Sequence, residues 1–349
     1  MKKYIFLPLL LISALCWGQA QFVVQNNAKT EVYNNINTAI ENAVAGDTLY
    51  LPGGGFTISN TTIDKSLHWV GHGHYPSETK ATIQTRITTG LNFTGNCDNS
   101  SFEGIYFTST LQFGYDEPTK NVMVKRCRFG SDLYLQTGTL TTDLNFQIKE
   151  CVLANIRGNN ASDCTIEKSL IFGIINYMVS SDFYNNSINI YEYNGRTIQN
   201  CKYCTFENNV FGHQYGLHVT TDCKFYNNIF SSNLPYSETD ANANMGINNI
   251  YNVGPTNIYT DISHSAKIYT FSYNNDYHLN ASSTGTYELD GSTKSIIGSA
   301  SDGANTGIFG TANPYKTIPY YPHINTAIIA REAISDQLGV TISVEAQSR

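Results

Sequence analysis

The segment Phe206-Glu207-Asn208-Asn209-Val210-Phe211 is followed by Phe225-Tyr226-Asn227-Asn228-Ile229-Phe230, and Phe183-Tyr184-Asn185-Asn186-Ser187-Ile188 precedes it. All three segments hold an Asn-Asn pair in one frame, hydrophobic-x-Asn-Asn-x-hydrophobic. Two later pairs, Asn248-Asn249 and Asn274-Asn275, keep the asparagines and lose part of the apolar frame. A motif that recurs in a fixed frame indicates stacked structural units instead of an isolated turn.

The same frame continues towards the N-terminus with other residues in the second-Asn position. These residues are Ile105, Cys127, Cys151 and Ser169. The anchors between 105 and 275 recur with a mean period of about 21 residues, which is typical of units that cannot bury their apolar face alone. Because the runs between anchors are short, β-rich and without helical spacing, each unit is predicted to be one rung of a β-solenoid.

Asparagine fits the corner of such a rung for a backbone reason. A sharp turn between two strands requires positive φ, and Asn tolerates that region better than any residue except Gly. Stacked from rung to rung, the side-chain amides are predicted to hydrogen-bond in a ladder along the axis. The alternative is that Asn is simply common in turns, which does not explain the shared frame.

Each rung is predicted to have three strands. In the best-defined rung they cover 204–207, 210–212 and 216–220, and the third strands of earlier rungs are predicted near 196–198, 176–179 and 155–157. Crossovers of one hand favour a right-handed coil. The predicted fold is therefore all-β: a right-handed single-stranded parallel β-helix (solenoid) with an N-terminal capping helix and a small C-terminal cap.

The two ends of the coil carry distinct patterns. An amphipathic stripe predicts a helix that ends at Gly46 and caps the first rung; its residues are Ile36, Ala39, Ile40, Ala43 and Val44. Near the C-terminus, residues 339–344 alternate like a strand. We expect the β-helix domain to cover 21–310 and a C-terminal cap or appendage to cover 311–349.

The first residues have the pattern of a bacterial-type signal peptide. Lys2 and Lys3 precede an apolar run over 4–17, and small residues lead to a predicted cleavage after Ala20. Residues 1–20 are thus expected to be removed from a secreted or cell-surface protein, and no later run is long enough for a membrane helix. The remaining chain has 19 basic against 28 acidic residues, a net charge of −9, which argues against a nucleic-acid partner. We expect a monomer.

The seven cysteines after Ala20 are predicted to pack, not to form bridges. Cys164, Cys204 and Cys223 each lie two residues before the apolar marker of a rung and should point inward as small hydrophobic residues. Cys201 and Cys204 have the C-x-x-C spacing of redox and zinc sites. However, no second cysteine or histidine pair lies near them in sequence.

These segments together resemble the secreted right-handed parallel β-helix proteins of the pectate-lyase type. The matching motifs are the helix followed by AGDTLYLPGGGFTI, the F-E-N-N-V-F and F-Y-N-N-I-F rungs, and NNDYHL at 274–279. The resemblance covers roughly 30–310 and is specific for the fold. It implies a carbohydrate-interacting protein, since relatives include pectate, alginate and chondroitin lyases and polygalacturonase-like hydrolases. Other relatives are surface proteins of no known activity.

The predicted third strands are where chemistry is expected. They contain no clustered carboxylates of the kind that a hydrolase needs, and Gly71-His72-Gly73 is interpreted as a turn. A lyase acting on uronic acids needs a cation beside the substrate carboxylate and a base for the α proton. The candidate catalytic residues are Arg157, Tyr177, Arg196 and His218. The alternative is that they are ordinary polar residues on a solvent-facing surface.

A bound calcium ion is a second way to neutralise the substrate carboxylate. Its candidate ligands are Asp163, Asp182 and Asp222, for which turn formation is the alternative. The loops before the third strands supply the candidate substrate-binding residues Tyr191, Tyr193, His213 and Tyr215, whose rings could stack on sugars. The sequence thus favours a carbohydrate-interacting protein, either a polysaccharide lyase acting on an acidic glycan or a non-catalytic adhesion or structural module.

Overall fold

The computed structural model describes residues 20–74, 83–138, 142–188, 196–211, 216–230, 245–247, 250–251, 266–267, 286–289, 292–295, 307, 315, 323–329 and 340–345. These residues form a right-handed parallel β-helix, which confirms the predicted fold class. Two large sheets run along the coil axis, and every coil contributes strands to both. Among the described residues no helix is long and apolar enough to span a membrane.

The first sheet holds the first strand of each coil. All of its pairings are parallel except those of the two N-terminal strands. In chain order its strands are β1 (Phe22–Gln25), β2 (Thr30–Tyr33), β3 (Thr48–Tyr50), β6 (His68–Val70), β9 (Ser101–Glu103), β12 (Met123–Lys125), β15 (Gln147–Lys149), β17 (Thr165–Glu167), β20 (Asp182–Tyr184), β23 (Thr205–Glu207), β26 (Lys224–Tyr226) and β28 (Met245–Ile247).

The second sheet holds the second and third strands of each coil. Two of its strands, β13 and β16, are long enough to serve as both. Its members are β4 (Gly54–Phe56), β5 (Thr62–Ile63), β7 (Thr85–Ile87), β8 (Leu91–Phe93), β10 (Ile105–Phe107), β11 (Leu111–Gln112), β13 (Arg128–Tyr134), β14 (Thr142–Asp143), β16 (Val152–Ser162), β18 (Leu170–Ile171), β19 (Ile175–Val179), β21 (Ser187–Ile188), β22 (Arg196–Gln199), β24 (Val210–Phe211), β25 (Gly216–His218), β27 (Ile229–Phe230) and β29 (Ile250–Tyr251).

Two small antiparallel sheets follow the coil. One consists of β30 (Ala266–Lys267), β31 (Thr286–Leu289) and β32 (Ser292–Ser295). The other pairs β33 (His323–Ile329) with β34 (Val340–Glu345). The strand predicted at 339–344 is therefore confirmed, and its pairing with β33 was not predicted.

The N-terminal cap is a helix combined with a β-hairpin. Helix α1 (Ile36–Asn42) is capped at its N-terminus by Asn35, whose side chain accepts a hydrogen bond from the Asn37 amide. The helix buries Ile36, Ala39 and Ile40. The predicted end at Gly46 is wrong, because the backbone is already extended at Ala43. Strands β1 and β2, which were not predicted, continue the first sheet beyond β3 and cover its N-terminal edge.

The interior is filled by residues that stack in register from coil to coil. Phe183, Phe206 and Phe225 are nearly parallel, with ring centroids 4.6 and 4.8 Å apart. Each alternates with outward neighbours on its strand, and all three are almost completely buried. This stacking holds adjacent coils at a fixed register, so the position of an outward side chain is set by its neighbours in the strand.

The Asn-Asn pairs form the corner between the first and second strands, here called the first corner. The first residue of each described pair has positive φ, at Asn185 (53°), Asn208 (56°) and Asn227 (51°), whereas the pairs at 248–249 and 274–275 lie outside the described residues. The second residue points inward and is fully buried. The predicted left-handed corner is confirmed, and the same conformation is also adopted at Arg126, Glu150 and Lys168 in earlier coils.

The predicted amide ladder is also confirmed. The Oδ1 of Asn209 accepts hydrogen bonds from the amide and side chain of Asn186, at 2.8 and 3.0 Å. The Oδ1 of Asn228 accepts the equivalent pair from Asn209, at 2.9 and 3.1 Å. Each Nδ2 also donates to a carbonyl of the coil before it, for example from Asn209 to Phe183. These contacts satisfy polar groups that the core would otherwise leave unpaired.

Two further corners complete each coil, and both also use positive φ. The second corner follows the third strand, and its residues include Tyr177 (52°), Asn200 (53°) and Val219 (50°). The third corner precedes the first strand, and its residues are Asn99, Asn121, Asn145, Asp163, Ser180, Tyr203 and Asp222. Between them a short fourth segment is linked by single bridges from Val179 to Lys202 and from Lys202 to Thr221.

Two described residues near the C-terminus, Gly307 and Tyr315, contact the coil at its second strands and first corner. Tyr315 packs with Val152 and Leu170, which point outward and yet are buried. Farther along the coil, the Gly307 amide donates to the Asn208 carbonyl at 2.7 Å. The outward side of the second strands is thus covered at Val152 and Leu170.

Candidate functional site

Polar residues occupy one register position along successive third strands, and we call this row the third-strand column; Asn176 within it is buried. Strand pairing places its members in register on successive coils. They are Thr62, Asn92, Gln112, Tyr134, Arg157, Asn176, Gln199 and His218. The residues before them, from Leu91 to Ile198, are fully buried. Because side chains alternate across a strand, this inward apolar row fixes the outward direction of the column.

The best-defined part of the column is a charged cluster around Asp132. The Asp132 carboxylate accepts from Arg157 Nε at 2.7 Å, from Asn155 Nδ2 at 2.7 Å and from the Tyr134 hydroxyl at 3.3 Å. The Asn155 Oδ1 in turn accepts from the Ile174 amide at 2.8 Å. The Arg157 guanidinium also lies 5.8 Å from the centre of the Tyr134 ring. The cluster therefore holds a half-exposed arginine in a defined position on the surface.

The four candidate catalytic residues lie on the third-strand side of four consecutive coils. Arg157 and His218 belong to the same column, three strand spacings apart, or about 14 Å. Tyr177 lies one residue beyond the column, at the second corner, and Arg196 lies three residues before the column residue Gln199. The side chains of Arg196 and His218 lie outside the described residues. Arg157 and His218 are thus not neighbouring members of the column.

Tyr177 is the most exposed of the candidates whose side chains are described. Its side chain is 43% exposed and its φ is 52°. Bulky residues rarely adopt this conformation, which costs about 1–2 kcal/mol relative to ordinary backbone. The preceding coil has Gly158 beside it, where a Cβ would lie 2.4 Å from the Tyr177 carbonyl oxygen. The fold thus tolerates a strained, exposed aromatic residue at the edge of the column.

The candidate calcium ligands are not brought together. Asp163 and Asp222 occupy the third corner with φ of 55° and 52°, three coils or about 14 Å apart. Asp182 does not lie in a turn as predicted; it is the first residue of β20, paired with Thr165 and Thr205. No group of three His, Cys, Asp or Glu residues in the described ranges could hold a metal ion. The candidate substrate-binding residues Tyr191, Tyr193, His213 and Tyr215 lie outside the described residues.

The outer face of the first sheet offers a second polar surface. A hollow of about 340 Å³ lies over β12, β15 and β17. Its charged residues include Lys149 and Glu167, which pair at 2.5 Å. Four carboxylates lie along this face, at Glu103, Glu167, Asp182 and Glu207. The third-strand column has no carboxylate of its own, and its neighbour Asp132 is neutralised by Arg157.

The cysteines occupy interior positions, as predicted. All seven are unbridged and buried. Burial raises the pKa of Cys151 and Cys164 to about 12. A thiol with so high a pKa is neutral at physiological pH and a poor nucleophile or metal ligand. Their common role is to fill the core. Cys201 and Cys204 are both buried on either side of the third corner at Tyr203, which accounts for their C-x-x-C spacing.

Several residues of the site were not recognised in the sequence. Asp132 and Asn155 lie opposite each other on adjacent strands, yet they are separated by a full coil in the chain. The signal that could have found them is the register of the column, because each lies two residues before a column residue. No family model, no curated protein and no solved structure matches the chain.

Proposed function

We propose that this protein binds an acidic polysaccharide along the third-strand column. The observation that carries the proposal is the row of polar residues that strand pairing places one per coil from Thr62 to Gln199, in which Asn176 is buried and the other side chains are partly exposed. Their spacing of about 4.8 Å is comparable with the length of one sugar residue, so a glycan lying along the axis would meet a similar donor or acceptor at each step.

The contrast with the other faces supports the choice of this surface. The outward side of the second strands is covered around Val152 and Leu170. The outer face of the first sheet carries carboxylates such as Glu103 and Glu207 together with lysines such as Lys125 and Lys224, so its charges would partly repel an acidic chain. The third-strand column presents amides, hydroxyls and the Arg157 guanidinium, whose Nε donates to Asp132. The resemblance to pectate-lyase-type proteins and the signal-peptide pattern support a secreted protein that meets glycans outside the cell.

A second candidate function is a polysaccharide lyase at the same surface. The observation that favours it is the position of Tyr177, Arg196 and His218 on three consecutive coils. Arginine would neutralise the uronate carboxylate, and histidine or tyrosine would remove the α proton. Elimination would break the bond between the neighbouring carbon and the glycosidic oxygen, which would leave with a proton from an acid group or water. The product would carry a double bond, so activity would be seen as a rise in ultraviolet absorbance.

Binding is tested with polygalacturonate, alginate, chondroitin sulfate and neutral dextran by calorimetry and affinity electrophoresis, with absorbance followed in parallel. We expect at least one acidic polymer to bind and dextran to bind more weakly. Arg157→Gln should weaken that binding about tenfold, the effect of losing one charge-assisted contact.

The matched control is Lys149→Gln on the first sheet. Lys149 and Arg157 are both ion-paired to a carboxylate and similarly exposed, with side-chain exposures of 37% and 29%. If both substitutions weaken binding equally, the effect is one of overall charge and the proposed surface is wrong. A wild-type chain that binds none of the acidic polymers would reject the function itself.

A further inference from the structure

A second surface of the coil combines two exposed aromatic residues with a cation. It is formed by Tyr177 at the second corner, Tyr203 at the third corner of the next coil, and Lys202 on the fourth segment between the corners. We call these three residues the lateral strip. We propose that the lateral strip is an additional binding site for a uronic acid unit of the same acidic glycan, an inference that rests on the proposed function.

The backbone holds the three residues in a fixed relation. The Lys202 amide donates to the Met178 carbonyl at 2.9 Å, and the Lys202 carbonyl accepts from the Ser180 amide at 2.9 Å. The segment that carries Lys202 is therefore attached directly to the coil of Tyr177. From one strand spacing and about three residues of extended chain, the Cα atoms of Tyr177 and Tyr203 lie about 11 Å apart. This is about the span of two neighbouring sugar rings.

Tyr203 is a largely exposed aromatic residue in the left-handed conformation. Its side chain is 58% exposed and its φ is 58°. At the same corner, the other coils place Asn, Asp or Ser, residues that are small or tolerate positive φ. A bulky ring at this position lowers the stability of the backbone conformation, and more than half of the residue remains exposed. Two such tyrosines at the two ends of one segment provide flat apolar surfaces on which sugar rings can stack.

The charges of the lateral strip select the kind of sugar. Lys202 is exposed and lies between the two tyrosines in the order of the corners. Asp222 occupies the third corner of the following coil, on the far side of Tyr203. A carboxylate on the bound sugar is thus attracted to the Lys202 side and repelled from the Asp222 side. The chemistry that fits this arrangement is a sugar ring carrying one carboxylate.

The test compares the affinities of Lys202→Gln and Tyr203→Asn for polygalacturonate and for its methyl-esterified form. Asparagine suits φ of 58°, so Tyr203→Asn should fold at least as well as wild type. We expect each substitution to raise the Kd for polygalacturonate about tenfold. For the esterified polymer, Tyr203→Asn should still weaken binding and Lys202→Gln should have little effect, because the carboxylate charge is absent.

The matched controls are Lys224→Gln, an exposed lysine on the first sheet, and Tyr115→Asn, an exposed tyrosine away from the strip. Both should leave the Kd unchanged. If Arg157→Gln weakens binding but Lys202→Gln and Tyr203→Asn do not, the lateral strip is overturned and the third-strand site stands. If Lys202→Gln and Tyr203→Asn weaken binding but Arg157→Gln does not, the strip is supported and the third-strand site is rejected. A wild-type chain that binds neither polymer overturns both.

Discussion

The first corner and the other two corners use the same backbone conformation for different purposes. At the first corner, Asn208 turns the chain at positive φ and Asn209 then points into the core, where it hydrogen-bonds to both neighbouring coils. At the second and third corners, Tyr177 and Tyr203 turn the chain at similar φ values and point into solvent. Both kinds of corner bend the chain between consecutive segments of a coil.

The difference shows how to separate scaffold from surface in a repeat protein. A left-handed corner alone requires only a residue that accepts positive φ, and asparagine does so at low cost. At the first corner the second asparagine, as at Asn209, also satisfies buried polar groups and stabilises the fold, whereas Asn121 and Asn145 at the third corner make an exposed contact. Where a tyrosine replaces it and remains exposed, the fold loses stability, and a function outside the fold is the better explanation.

Removing one rung of the ladder should have the largest effect. Asn209→Ala takes away the acceptor of the Asn186 amide and the donor to the Phe183 carbonyl, both inside the core. We expect the free energy of unfolding to fall by about 3 kcal/mol, since each unsatisfied buried group costs about 1–3 kcal/mol. The measurement is chemical denaturation followed by circular dichroism.

The matched control for this substitution is Asn121→Gly at the third corner. Asn121 also takes part in an amide-to-amide contact, accepting from Asn145 Nδ2 at 2.9 Å, but that contact is exposed. Glycine accepts φ of 57°, so the change in stability should stay below about 0.5 kcal/mol. Equal losses for the two variants would show that the buried ladder has no special role.

Replacing an exposed corner tyrosine should produce the opposite change in stability. Tyr177→Asn places at φ of 52° a residue that tolerates it, as Asn200 already does one coil later. We expect the free energy of unfolding to rise by about 1 kcal/mol and the affinity for polygalacturonate to fall about tenfold. A variant that is more stable and binds equally well would remove Tyr177 from both proposed surfaces.

The fold could be predicted from the sequence because its main signal is local and repeated. The frame around Asn186, Asn209 and Asn228 contains the corner, the inward ladder and the register of the strands on either side. The hairpin of β1 and β2 and the pairing of β33 with β34 carry no repeat, so their partners could not be identified. Helix α1 ends early because the backbone becomes extended at Ala43. The spacing of apolar residues does not predict this change of conformation.

The site was less predictable because it depends on contacts between coils. The third strands were located correctly, and Arg157 does face outward. Its partner Asp132 lies on the preceding coil, and only the exact register reveals that they meet. Tyr203 was overlooked because the left-handed conformation that makes it unusual is visible only in three dimensions.

The smallest change in stability is expected at Lys168, a first-corner residue that is not asparagine. Lys168 adopts φ of 49° where later coils have asparagine, and burial is the main cause that lowers the pKa of its ammonium group below 10.5. Lys168→Asn should therefore raise the free energy of unfolding at neutral pH by about 0.5–1 kcal/mol.

Between the lowered pKa and 10.5 the unfolded chain binds more protons than the folded chain at this residue, so wild-type stability rises with pH. The advantage of the variant should shrink across that window, and denaturation curves at a series of pH values would show it. A constant difference would mean that the corner's preference for asparagine is a matter of backbone conformation alone.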